Sequence, residues 1–60
     1  MSTATEILEQ VIDELHMSAA RNIALANDSE ARFPWRRHDV RIYRERAESD
    51  LAAARHLMER

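Results

Sequence analysis

Six of the nine arginines, Arg32, Arg36, Arg37, Arg41, Arg44 and Arg46, fall in one stretch of the chain, and the single Phe, Trp and Tyr fall there too, as Phe33, Trp35 and Tyr43. A guanidinium is a planar fork that pairs with carboxylates and phosphates and stacks on rings. Arginines interleaved with aromatics suit phosphate contact combined with base stacking. They suit equally the centre of a protein interface, where Trp, Tyr and Arg are enriched. A third reading has Phe33 and Trp35 plugging one end of a helical bundle while the arginines are simply solvated.

Ile42 favours the interface. At helical spacing it projects away from Val40, Tyr43 and Ala47, on the side shared with Trp35, Arg46 and Ala53. A second apolar stripe on one helix suggests a second contact surface. The candidate partner-binding set is therefore Phe33, Trp35, Arg36, Arg37, Arg41, Ile42, Tyr43 and Arg44. Trp35, Tyr43 and Ile42 are the expected anchors. Arg36, Arg37, Arg41 and Arg44 are expected to meet acidic groups on a larger protein. Nucleic acid bound by the Arg32–Arg46 segment is the alternative. The charge pattern weighs against it: residues 1–31 carry six acids and one Arg, so one helix presents a face that repels phosphate.

Other chemistry finds little support. Asp13-x-x-His16 and His56-x-x-Glu59 each place a carboxylate and an imidazole on one helix face, the spacing used by paired helices that hold metals. Asp13 points away from the apolar stripe, however, and the two pairs lie at different heights along the helices, so no metal site is expected. With no Cys, disulfides and thiolate metal sites are excluded. With no Gly, phosphate-cradling loops and dinucleotide fingerprints are excluded too. Ser2, Ser18, Ser29 and Ser49 form no Ser–His–acid pattern. A helical pair of this size has no concave pocket of the kind an active site uses. The expectation is a non-enzymatic chain with no cofactor and no small-molecule substrate.

No apolar run approaches the ~20 residues of a membrane span, and the first residues lack a charged-then-apolar leader. Acids stand where a membrane-surface helix would carry Arg or Lys. A cytoplasmic location with no membrane partner is expected.

Two helices and one break account for the chain. Thr3-Ala4-Thr5-Glu6 reads as a capping box with Thr3 as N-cap. Leu8, Val11, Ile12, Leu15, Ala19, Ile23 and Ala26 follow at steps of three and four, with Ile7 and Leu25 at the stripe's edge, and predict a first helix over about residues 4–26. Asn27-Asp28-Ser29-Glu30 reads as a stop-and-turn cluster. Pro34 drives Phe33 out of helical geometry, so the turn is expected over about 27–34. Val40, Tyr43, Ala47, Leu51, Ala54, Leu57 and Met58 then predict a second helix over about 35–58, with Pro34 or Asp39 marking its start. Asn22 falls within the first stripe, either as a register-fixing polar residue or as one near the helix end beside Tyr43, satisfied there or by water.

The fold class expected is all-α: one antiparallel helical hairpin, a single domain over residues 1–60. Helices of equal length would set Leu15 near Ala47, Ile12 near Leu51 and Leu8 near Ala54. Two helices alone cannot cover the broad first stripe. A chain of 60 residues is also only marginally stable without a staple or a partner. Homodimerisation into a four-helix bundle, with Leu8, Val11, Ile12, Leu15, Ile23 and Leu51 as the self-association core, is the expected remedy.

Overall fold

A computed structural model describes residues 3–59. It contains two helices, α1 (Ala4–Arg32) and α2 (Arg37–Met58), packed against each other as a hairpin. No strand occurs among the described residues. The chain is all-helical and long and thin, with principal extents of 47 × 20 × 10 Å.

α1 begins where the capping residues place it. Thr3 is extended at φ −79°, ψ 164°, and its hydroxyl accepts from the Glu6 amide at 3.2 Å. The helix then runs through the polar cluster that reads as a turn in the sequence, and ends at Arg32 rather than near Ala26. Tertiary contacts outweigh the weak helix propensities of Asn27, Asp28 and Ser29 here. Asp28 pairs with Arg32 one turn on, at 3.0 Å. Glu30 reaches across to Arg44 of α2 at 2.8 Å. Half-buried Ser29 offers a small side chain on the face that meets α2. The proline acts as expected but over a shorter range: it excludes Phe33 from the helix (φ −133°, ψ 61°) and leaves the preceding residues helical. The connection is therefore residues 33–36, and α2 starts at Arg37 rather than Trp35.

Moving the turn moves the pairing of the helices. Ala26 and Ala47 line one groove together with Ile23 and Leu51. Ala47 thus faces Ala26 rather than Leu15, and Leu51 faces Ile23 rather than Ile12, a shift of about 16 Å along α1. The helices are also unequal. α1 has 29 residues and α2 has 22, and with Ala47 level with Ala26 the last residue of α2, Met58, is level with Leu15, so the first three turns of α1 project about 16 Å beyond the end of α2.

The seam between the helices follows a heptad. On α1, Leu8, Ile12, Leu15, Ala19, Asn22, Ala26 and Ser29 alternate steps of four and three, and Phe33 just past its end continues them. On α2, Val40, Tyr43, Ala47, Asp50, Ala54 and Leu57 do the same, and every one of these residues is buried or half-buried. A 3.5-residue repeat keeps one stripe facing the neighbouring helix along its length. The buried members are Ala19, Ala26, Val40, Ala47 and Ala54. Alanines at the contact let two helices pack close together, but each removes little apolar surface from water. No large side chain is fully buried among the described residues.

The broad stripe read from the sequence divides accordingly. Leu8, Ile12 and Leu15 sit half-buried on the seam, whereas Val11, Ile23 and Leu51 lie on its exposed flanks. Asn22 is satisfied locally: its side-chain amide donates to the Ser18 carbonyl at 3.0 Å.

Candidate interaction site at the loop end

The four-residue connection is held by its own backbone. The Phe33 amide donates to the Ser29 carbonyl at 2.7 Å, and the Arg36 amide donates to the Phe33 carbonyl at 2.8 Å. These bonds fold the chain tightly enough that three consecutive-region side chains stack. The Phe33 and Trp35 rings lie 5.8 Å apart and nearly perpendicular, at 82°. The Arg36 guanidinium sits over the Phe33 ring, 4.5 Å from its centroid. Edge-to-face aromatic pairs and cation–π contacts are each worth about 0.5–1 kcal/mol at such sites. Phe33 is half-buried beneath this stack, while Trp35 remains 72% exposed at the tip of the hairpin.

Behind the tip the arginines are largely engaged within the chain. Arg44 donates to Glu30 across the hairpin at 2.8 Å. Arg41 approaches Glu45 at 3.8 Å and His38 Nδ1 at 3.1 Å. Arg32 is held by Asp28. Of the six arginines in the segment, Arg37 and Arg46 make no ion pair among the described residues, and Arg36 is stacked on Phe33. An open cleft of about 620 Å³ runs alongside, lined by Pro34, Val40, Arg37, Arg41 and Arg44 but also by Glu30, Glu45 and Glu48. Its walls carry both signs of charge.

Arg36 and Arg37 occupy an unfavourable place. They form the N-cap and first residue of α2, and no side chain caps that helix. Helix N-termini favour negative charge, and Asp39 in the first turn offsets the two cations only in part.

The structure thus brings together Phe33, Trp35, Arg36 and Arg37 at the tip, and Arg37, Arg41 and Arg44 along one cleft. The remaining two expected anchors are less exposed than Trp35. Tyr43 is half-buried on the seam with α1, and Ile42 is half-buried as well, so neither offers the open apolar surface the sequence pattern suggests. Glu30 is the residue that sequence reading assigns to the turn and that instead organises the site. Its only signal is its phase, one residue past the seam at Ser29 and on the side of Arg44.

Among the described residues no group of three or more His and carboxylate side chains is placed to hold a metal ion. Among the described residues no helix is long and apolar enough to cross a membrane. No protein-family model, curated protein or solved structure matches this chain.

Proposed function

We propose that this chain is a small non-enzymatic interaction module, acting as an adaptor, inhibitor or assembly subunit, that docks on a larger protein through its loop end. The observation that carries the reading is Trp35: a large aromatic left 72% exposed, with its ring packed edge-to-face on Phe33. A pre-positioned exposed aromatic loses little conformational freedom on binding, which is the property of interface anchors. Arg36 and Arg37 at the start of α2 add to it. Two cations kept where the helix dipole disfavours them break a local rule, and such departures concentrate at functional sites. Arg37 and Arg46 would meet acidic groups on the partner.

The same module self-associates in this reading, completing a four-helix bundle. A hairpin whose core is four alanines and one valine needs more buried apolar surface than it has, and a second copy supplies it.

Nucleic acid fits less well. Arg32, Arg41 and Arg44 already face carboxylates, and each phosphate contact would have to displace one.

Trp35 is the only tryptophan, so its fluorescence reports on the site directly. Docking on protein predicts that Trp35→Ala weakens partner binding by about 2 kcal/mol, roughly thirtyfold, while chain stability falls only by the ~0.5–1 kcal/mol of the lost ring contact. Loss of stability in that variant with no loss of binding would make Trp35 a structural plug instead. A Trp35 signal on adding DNA or RNA that fades steeply with salt would establish the phosphate reading in its place. Sedimentation of the purified chain tests self-association, and a stable monomer would refute the bundle.

A further inference from the structure

The self-association reading leaves open which face pairs and in which direction. We infer that a second copy lies antiparallel on the face of α1 that carries Val11, Ser18 and Leu25, with Ser18 at the two-fold axis. Val11 of each copy then packs on the partner's Leu25, and Glu14 of each pairs with the partner's Arg21.

Three observations lead there. The first is spacing. Val11, Ser18 and Leu25 each precede a seam residue, Ile12, Ala19 and Ala26, by one position, so they line one flank of the hairpin. Val11 is 40% exposed and Leu25 43% exposed, and each lies seven residues from Ser18. A two-fold axis at Ser18 therefore sets the two apolar residues level with each other, with a small half-buried residue at the crossing. Isologous contacts need this kind of self-complementarity.

The second is charge. Glu14 and Arg21 lie on the outer margin of the same flank, four residues before Ser18 and three after it. Neither makes an ion pair within its own chain among the described residues. The antiparallel operation brings each to within about one residue's rise of its opposite in the other copy. A parallel dimer would instead set acid beside acid and arginine beside arginine, which costs affinity and slows encounter.

The third is the overhang. The first three turns of α1 have no α2 residue opposite them, and Ile7 there is 51% exposed. With the axis at Ser18, this projecting end lies against the partner's loop-end half instead of water. The opposite flank, the groove of Ile23 and Leu51, is a poorer candidate. From the Ala26–Ala47 pairing, Arg55 is level with Ser18, so the same operation on that side sets Arg55 against its own copy.

The chain has no Cys, so single cysteines report position without interference. Ser18→Cys should give a disulfide-linked dimer under mild oxidation, and Ala20→Cys, on the outer face of α1, should cross-link at least about tenfold more slowly because only random collisions join it. Glu14→Arg should weaken the dimer about tenfold in sedimentation equilibrium, and adding Arg21→Glu to the same chain should restore it. Circular dichroism on each variant confirms that it is helical. A wild-type dimer in which Arg55→Cys cross-links and Ser18→Cys does not would overturn this arrangement while leaving self-association standing. Failure of the double charge reversal to restore the dimer would overturn the Glu14–Arg21 contact. A wild-type chain that sediments as a monomer at millimolar concentration would end both the arrangement and the reading it rests on.

Discussion

The two ends of the hairpin are built on different terms. At the loop end, four residues of connection, a perpendicular ring pair, a cation over a ring and a cross-helix ion pair all fall close together. Most of those contacts join residues near in sequence, so they form at little loop-closure cost. At the open end the only side-chain polar contact among the described residues is the Thr3 cap. There α1 outruns α2, and Leu8 and Ile12 gain only partial cover. Local chemistry suffices to order the first end, whereas the second holds its apolar side chains under little cover.

Substitutions should separate these two ends by the size of their effects. Ala26→Leu should do the most damage, since Ala26 is fully buried against α2 and a larger side chain forces the helices apart along both ends at once. A loss of about 3 kcal/mol is expected in urea unfolding, most of what a domain of this size possesses. Phe33→Ala should rank next, at about 2 kcal/mol, below the usual range for a fully buried Phe because Phe33 is only half-buried. A loss no larger than that of Leu8→Ala would erase the distinction between loop end and open end.

Thr3→Ala should cost about 1 kcal/mol through loss of the N-cap, and it should act at the open end alone. Amide hydrogen exchange would then quicken over the first turns of α1 and stay unchanged near Phe33. Glu30→Gln should have the smallest effect, about 0.5 kcal/mol or less, because the Glu30–Arg44 pair is exposed on both sides. Its main consequence should be a freed Arg44 and a more basic cleft, visible as stronger retention on a polyanion column at low salt.

The comparison also marks how far the sequence could be read. Two helices, the Thr3 cap and the effect of Pro34 on Phe33 were all legible, because each rests on contacts within a few residues. The polar run Asn27–Glu30 misleads for the complementary reason. Its reluctance to be helical amounts to tenths of a kcal/mol per residue, small enough for the packing of half-buried Ser29 against α2, together with the Asp28–Arg32 and Glu30–Arg44 pairs, to offset it. That one difference carries the others. Extending α1 to Arg32 shifts the register against α2, moves Leu15 away from Ala47, and creates the overhang. At the candidate site, the clustering of Phe33, Trp35 and Arg36 is local and followed from the sequence. The half-burial of Ile42 and Tyr43 is not local and did not.

The sequence by itself determined the class of fold, the place where the chain must leave helical geometry, and the gathering of every aromatic with most of the arginines beside that place. Each of these follows from covalent and short-range constraints: φ restriction at a proline, a capping hydroxyl, and apolar residues recurring with the helical period. Tertiary structure alone decided the register, the alanine seam, the engagement of Arg44 by Glu30 and the split of one apolar stripe into a covered seam and two open flanks. A helix of this composition presents apolar residues over a wide arc, and its periodicity is nearly the same whichever part of that arc meets a neighbour. Only the close approach permitted at Ala19, Ala26, Ala47 and Ala54 selects which part does.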